Sequence, residues 1–211
     1  MSSKRTTFFS SFTDFPYFTK ETLRESARKF SMPESTFNSY IYKALKDGQI
    51  ISLKRNYYVT RTFYENHKTD MGYLFSLANI LLQPSYVSRE TALQYYGLFA
   101  EAVNYTITSV TLKLPREFMN RTSRYSYRKI NEKLFAGFEN IKGNFSFTIA
   151  LPHKAIFDYL YYHTNRFTRN VHPDILEELR IDTDPLSSVD KKKLKDLIAK
   201  FTSIKIKIGT Y

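Results

Sequence analysis

The chain has 211 residues, of which 42% are hydrophobic and 17% aromatic, so it can bury a sizeable core in one large domain or two small ones. It contains no Cys and only four His, and no two of the His stand at metal-ligand spacing; this excludes a disulfide framework and argues against a structural zinc site. The formal net charge of +12 favours association with a polyanion, because neutralised phosphates release condensed counterions.

Targeting and membrane signals are absent from the sequence pattern. The first residues, MSSKRTTFFSSF, have no apolar run of signal-peptide length, and the best apolar run, YLFSLANILL, is too short to span a bilayer. The pattern therefore predicts a cytoplasmic protein with no membrane partner.

Two helices separated by a tight turn are predicted near the N-terminus. The first, TKETLRESARKF, begins at the cap residue Thr19. Its apolar face is formed by Leu23, Ala27 and Phe30. In the turn SMPES, Ser31 and Glu34 are spaced as a capping box and Pro33 suits the first helical turn, so a second helix should begin at once.

The second helix, PESTFNSYIYKALKDG, is predicted to end at Gly48. Its apolar face is formed by Phe37, Ile41, Ala44 and Leu45. Two β-rich runs follow in QIISLKRNYYV, joined at Asn56, a residue that tolerates the left-handed conformation of a tight hairpin. The order of helix, turn, helix and basic-tipped hairpin is that of a winged helix-turn-helix, whose second helix enters the major groove of DNA.

The face of the second helix opposite its core is polar and basic, and the hairpin tip adds further polar and basic groups. The predicted DNA contacts are Ser35, Thr36, Asn38, Ser39, Tyr42, Lys43, Lys46, Lys54, Arg55 and Asn56. By residue type, Asn38 suits adenine edges, and Lys43 and Lys46 suit phosphate or guanine. Lys54 and Arg55 would hold the DNA backbone from the wing. The alternative is an ordinary helical hairpin with a solvated polar face.

The polar stretch TRTFYENHKTD predicts a domain boundary, with the winged helix-turn-helix over residues 1–65 and a mixed α+β domain over residues 66–211. The predicted fold class is therefore α+β. In the second domain, YVSRETALQYYGL predicts a helix capped by Ser88 and ended by Gly97.

Strands and helices alternate after this helix. Strands are predicted in YTITSVTLKL, in YSYRKI and in FSFTIA. In the first of them the alternation slips near Thr108 and Ser109, which suggests a bulge or a bend. Helices are predicted in LPHKAIFDYLYY, with Pro152 in its first turn, and in KLKDLIAKF. The final SIKIKIGTY alternates Ile with Lys and predicts a half-buried strand.

Four segments of the second domain resemble the shared core of the AbiEi-type antitoxins of type IV toxin-antitoxin systems. They are YVSRETALQYYGL, TSVTLK, YSYRKINEKLFAGFE and IALPHKAIFDYLYY, within residues 86–162. The positions that match the family pattern are Ser88, Ala92, Leu93, Tyr96, Gly97, Leu98, Ser109, Val110, Thr111, Phe135, Gly137, Ala150, Pro152, Lys154 and Ala155. The chain departs from the pattern at His153, Ile156 and Asn56, where Glu, Leu and Gly are common.

The resemblance implies a DNA-binding N-terminal domain that represses its own operon at inverted repeats, and a C-terminal domain needed for antitoxin activity. The functional partner that it implies is a nucleotidyltransferase-like toxin encoded nearby, with which the antitoxin need not form a stable complex. The resemblance implies neither a cofactor nor an enzymatic activity. A stand-alone winged-helix regulator without a toxin partner is the first alternative.

Enzymatic alternatives have weaker support in the pattern. The six glycines are too dispersed for a phosphate-binding loop. A metal-dependent nuclease can be assembled from Asp174, Asp190 and Lys192 near Pro173, but Asp190 and the Lys residues after it are also typical of a helix cap and a solvated face. His153 and Lys154 at a helix start could bind an anion, or Lys154 could be held within the fold by a carboxylate from across the domain.

Overall fold

The computed structural model describes residues 4–99, 106–119, 123–168, 172–202 and 208. Within these residues it shows a mixed α and β protein with two separate sheets, one of three strands and one of six. The chain divides into two compact units, Met1–Leu74 and Phe75–Tyr211, which we call unit 1 and unit 2.

Unit 1 packs four helices against a small antiparallel sheet. Its elements are α1 (Lys4–Ser10), β1 (Phe18–Thr19), α2 (Lys20–Lys29), α3 (Glu34–Lys46), β2 (Ile50–Lys54), β3 (Tyr57–Thr60) and α4 (Arg61–His67). The strand order is β1-β3-β2. One hydrophobic core joins α1, α2, α3 and the sheet, and its largest contributors include Phe8, Phe12, Phe18 and Phe37. The hydrophobic pattern had not identified α1.

The turn between α2 and α3 differs from its prediction. Ser31 lies in the left-handed region with φ 49° and its amide donates to the carbonyl of Arg28, while the amide of Met32 donates to the carbonyl of Ala27. These two bonds end α2 in a Schellman motif, so Ser31 belongs to the first helix and cannot cap the second. The predicted capping box is therefore wrong, and Pro33 precedes α3 without a side-chain cap.

The predicted ends of α3 and of the hairpin are confirmed. Gly48 has φ +67° and its amide donates to the carbonyl of Leu45, while the amide of Gln49 donates to the carbonyl of Ala44. Asn56 has φ 66° at the hairpin tip between β2 and β3, as the predicted turn requires. On α3, however, Leu45 is exposed at 37% and does not join the core.

The polar stretch predicted as a boundary forms α4. Its N-cap Thr60 accepts a hydrogen bond from the amide of Phe63, and Phe63 and Tyr64 are buried. The predicted boundary between residues 65 and 66 thus falls within a helix. The division between the two units falls later, within the next helix, α5 (Met71–Leu81).

Unit 2 is built on a mixed sheet in the order β6-β7-β5-β4-β9-β8. Its further elements are β4 (Ser85–Val87), α6 (Glu90–Tyr95), β5 (Thr106–Thr111), β6 (Arg116–Met119), β7 (Arg124–Lys129), β8 (Phe138–Ile141), β9 (Phe147–Ala150), α7 (Pro152–His163), α8 (Ile175–Glu178) and α9 (Ser188–Ala199). Strand β5 pairs in parallel with β7 and antiparallel with β4, and β4 pairs in parallel with β9. Helix α7 packs against α6 and α9.

Two predictions for this sheet are wrong. Strand β5 pairs in uninterrupted register with β7 and contains no bulge, because it is central and buried on both faces, so side-chain alternation is not expected there. The predicted cap of α6 is also wrong, because β4 ends at Val87 and the helix begins at Glu90. Ser88 therefore does not cap α6, whose N-cap position is occupied by Arg89.

The remaining helix predictions in unit 2 are confirmed. Gly97 ends α6 with φ +68°, and the amide of Leu98 donates to the carbonyl of Leu93. Pro152 occupies the first turn of α7. Helix α9 buries Leu194 and Ile198. Most of the predicted final strand lies outside the described residues.

Candidate functional site

The outer face of α3 is the candidate nucleic-acid interface. Phe37, Ile41 and Ala44 are buried, which leaves the opposite face of the helix to solvent. Of the predicted contacts on α3, five are exposed and two are half-buried; the exposed ones are Ser35, Asn38, Tyr42, Lys43 and Lys46, and the half-buried ones are Thr36 and Ser39. This face offers hydroxyl, amide and ammonium groups, the side-chain types that contact phosphates and base edges.

One acidic residue, Glu34, modifies this face in a way that the sequence pattern missed. The amide nitrogen of Asn38 donates to a carboxylate oxygen of Glu34 at 3.2 Å, and the Arg24 guanidinium donates to the same carboxylate at 3.3 Å. The hydrogen bond from Arg24 holds the pKa of Glu34 below its usual range. Asn38 must leave Glu34 before its amide can pair with a base.

The hairpin tip places the other three predicted contacts. Lys54 is half-buried, with its ammonium nitrogen 3.8 Å from the ring centroid of Tyr57, while Arg55 and Asn56 are exposed. The carbonyl of Asn56 accepts a hydrogen bond of 2.8 Å from the amide of Lys20 at the start of α2. The tip is thereby tied to the helical part of unit 1, and Arg55 extends from a braced turn.

Unit 1 as a whole is basic. Residues 1–74 carry twelve Lys and Arg against seven Asp and Glu. Arg28 and Lys29 at the end of α2 are exposed and add to the cations of α3 and the hairpin. An excess of exposed cations raises the local concentration of a polyanion and supplies phosphate contacts that carry no sequence information.

Two positions that match the family pattern, Ser88 and Lys154, join Tyr86 and Asp158 in a buried polar network in unit 2. The Lys154 ammonium donates to Asp158 Oδ1 one helical turn further along α7. Asp158 Oδ2 accepts hydrogen bonds from the Tyr86 hydroxyl at 3.0 Å and the Ser88 hydroxyl at 2.8 Å. All four side chains are nearly or fully removed from solvent. Lys154 is therefore held within the fold by a carboxylate, as one of its two predicted roles had it, but that carboxylate belongs to the same helix and does not come from across the domain.

Aromatic packing and one glycine close this network. The Tyr86 ring stacks on Phe138 with centroids 4.7 Å apart and contacts Phe135 at 5.2 Å. Gly137 has φ +76°, and a Cβ there would lie 3.2 Å from the Lys154 side chain, so the chain passes directly over the lysine. These motif positions meet in the interior, where they position the sheet and α7.

Burial dominates the protonation behaviour of the network. Desolvation raises the pKa of the Asp158 carboxyl, against the opposing attraction of the Lys154 ammonium. Burial and the neighbouring Asp158 carboxylate also raise the pKa of the Tyr86 hydroxyl well above its usual range. The tyrosine therefore stays a neutral hydrogen-bond donor at every physiological pH.

Two groups of the enzymatic and anion-binding alternatives, His153 and Asp190, are partners of each other. His153 Nδ1 lies 2.8 Å from Asp190 Oδ1, which links α7 to α9. Burial alone would raise the pKa of Asp190, but hydrogen bonds from Ser187 and His153 hold it below its usual range. Among the described residues, no three His, Cys, Asp or Glu side chains lie close enough together to hold a metal ion.

No protein-family model and no curated protein sequence matches the chain. In the part of the chain that the structure describes, no helix combines the length and the apolar character needed to cross a bilayer.

Proposed function

We propose that this chain is a DNA-binding transcriptional regulator of the AbiEi-antitoxin type. Unit 1 binds operator DNA as a winged helix-turn-helix, with α3 in the major groove and the hairpin of β2 and β3 on the backbone. Unit 2 carries the antitoxin activity toward a nucleotidyltransferase-like toxin. The proposal assigns the chain no catalytic step.

The observation that carries the DNA-binding role is the exposed polar and basic face of α3, followed directly by a hairpin with Arg55 at its tip. Two further features support it. The turn between α2 and α3 spans only residues 30–33, the length usual in helix-turn-helix proteins. The outer side of α3 is uncovered within unit 1. This follows from the element order, which is helix, strand, helix, helix, strand, strand, and from the sheet order β1-β3-β2.

The antitoxin role rests on the family resemblance, and the buried network gives it physical support. Three segments that are distant in the sequence meet at one point in unit 2, and they supply Tyr86 with Ser88, Gly137, and Lys154. Motif positions with a shared structural task are expected where a family preserves a domain architecture.

A triple variant tests the DNA-binding role. Lys43→Ala, Lys46→Ala and Arg55→Ala remove three exposed cations without touching the core. On DNA from upstream of the chain's own gene, we expect weaker binding and a salt dependence reduced by about 2.7 in the slope of log K against log salt concentration, at about 0.9 for each phosphate contact. The matched control removes three exposed lysines from unit 2, namely Lys142, Lys192 and Lys195, and should bind as the wild type does. Unchanged binding by the triple variant at moderate salt would mean that the proposed face is wrong.

The antitoxin role is tested separately by co-expression with a nucleotidyltransferase-like protein encoded beside the gene. The full chain should neutralise that protein's toxicity, and so should the triple variant, because the two roles are assigned to different units. A wild-type chain that binds its upstream DNA but neutralises no toxin would support the stand-alone regulator instead.

A further inference from the structure

Unit 2 contains a cavity of about 590 Å³ that the DNA-binding proposal does not use. It lies where the start of α6, the end of β7 and the last turn of α7 approach one another. The side chains that matter for its chemistry are Arg89, Arg128, Lys129, Tyr159, Tyr162 and Arg166. Its volume is that of a site for a small organic molecule.

The cavity is strongly cationic. Two arginines at its rim, Arg128 and Arg166, are exposed, and Lys129 lies beside them. Glu90 is the acidic residue in the lining; its Oε1 pairs with Arg89 at 2.9 Å, and its Oε2 is buried without a hydrogen-bond partner among the described residues. Within the described part of the chain, Arg128, Lys129 and Arg166 have no carboxylate partner. Clustered cations in a concave site with low-dielectric walls favour an anionic ligand.

Arg89 has an arrangement that the fold alone does not require. Its side chain is 12% exposed, and its Nε and Nη1 atoms are buried without a hydrogen-bond partner among the described residues. Its backbone has φ 61° and ψ −136°, a conformation that non-glycine residues rarely adopt. Unpaired buried donors and strained backbone at one residue are typical of sites prepared for a ligand.

Aromatic groups line the cavity beside these cations. The Tyr162 ring lies 5.4 Å from the Arg89 guanidinium, and the Tyr162 hydroxyl is buried without a partner in the described residues. Tyr159 is half-buried on the same helix face and presents a second ring to the cavity. Rings and guanidinium groups together favour a ligand with a flat π system as well as negative charge.

We propose that this cavity binds a nucleoside phosphate. Arg89, Arg128 and Arg166 would contact the phosphate oxygens, and the base would pack against Tyr159. Inorganic phosphate alone would leave the tyrosines unused, and the volume suits a mononucleotide better than a nucleic-acid strand. The site is independent of α3, so either proposal can fail without the other.

Isothermal titration calorimetry of the full-length protein with ADP, GDP, adenosine and inorganic phosphate tests the site. We expect ADP or GDP to bind at least tenfold more tightly than adenosine or phosphate. The double variant Arg128→Gln with Arg166→Gln should weaken that binding at least tenfold, whereas Lys142→Gln with Lys192→Gln, two exposed lysines outside the cavity, should not change it.

Two further variants complete the test. Arg89→Met should abolish nucleotide binding, and Tyr159→Ala should weaken binding of the nucleotide but not of phosphate. Because the Arg89 side chain is only 12% exposed, the exposed Arg128 and Arg166 pair decides the outcome if Arg89→Met misfolds. Failure of all four compounds to bind, equal affinity for phosphate and ADP, or nucleotide binding that the double variant leaves unchanged would overturn the proposal. Tighter binding of a thymidine oligonucleotide than of ADP would overturn it in favour of a strand-binding site.

Discussion

Breaking the buried ion pair of Lys154 and Asp158 should destabilise unit 2 more than any surface change. The two side chains are 4% and 0% exposed, so either single substitution leaves an uncompensated charge in the interior. Lys154→Met leaves the Asp158 carboxylate with only two hydroxyl donors, and Asp158→Asn leaves the ammonium without its counterion. Each should cost about 3–5 kcal/mol in the free energy of unfolding.

The double variant separates the pair from the rest of the network. Lys154→Met with Asp158→Asn removes both charges but keeps an oxygen to accept from Tyr86 and Ser88. Its cost should fall well below the sum of the two single variants, with a coupling free energy of up to about 3 kcal/mol. The matched control is Arg124→Met, which breaks a surface pair whose side chains are 56% and 54% exposed and should cost at most about 1 kcal/mol.

Urea unfolding with extrapolation to water measures these free energies, and thermal unfolding provides a second readout. A loss of about 4 kcal/mol corresponds to a Tm lower by roughly 10–20 °C for a domain of this size. If Lys154→Met and Asp158→Asn each cost no more than Arg124→Met, the network does not hold unit 2 together. The structural role of the family-like motif would then be refuted.

Three further outcomes follow from the described geometry. Gly137→Ala should destabilise the protein more than Gly97→Ala in thermal unfolding. Both replace a left-handed glycine, at a cost of about 1–2 kcal/mol, but only Gly137→Ala adds a methyl group 3.2 Å from a buried side chain. Equal costs would contradict this contact. Burial raises the pKa of Tyr86 and Tyr127, so the free energy of unfolding that they contribute is fully present below about pH 10 and falls by about 1.4 kcal/mol per pH unit for each tyrosine above that pH. Ultraviolet titration of tyrosinate should show both tyrosines ionising only when the protein unfolds. Ionisation of either tyrosine in the folded protein would refute this prediction. Ser187→Ala should cost about 1 kcal/mol in urea unfolding, because its hydroxyl accepts the N-cap hydrogen bond of α9 at 3.0 Å, and no measurable loss would show that this cap is dispensable.

Local signals predicted the ends of several elements correctly. Gly48 and Gly97 end helices, and Asn56 forms the hairpin turn, because each supplies a left-handed backbone that few other residues tolerate. Such signals depend on one residue and its immediate neighbours. They can therefore be recognised without knowledge of the tertiary fold.

Serine caps were less predictable because one residue type suits several positions. Ser31 matched a capping box for α3, yet it ends α2 instead. Ser88 matched the cap of a helix, yet its hydroxyl donates to a buried carboxylate. The role of each serine depends on the path of the following residues in the tertiary fold, which the spacing of residues does not determine.

The buried network illustrates which part of a site a sequence can predict. Lys154 and Asp158 are four residues apart on one helix, so the helical period is enough to predict their contact. Their burial cannot be predicted in this way, since it depends on β4 supplying Tyr86 and on Gly137 passing over the lysine. Glu34 and Asn38 have the same spacing. Their contact was not predicted, because the sequence pattern assigned Glu34 to a capping box with Ser31.

The central claim is that unit 1 recognises a DNA sequence through α3. A gel-shift titration of the full-length protein with DNA from upstream of its own gene, in rising salt and excess unrelated competitor, tests it most directly. The account predicts a discrete complex that survives the competitor. Equal binding to both DNAs that disappears as salt rises would contradict it, because the basic charge of unit 1 would then act only as a general attraction for polyanions.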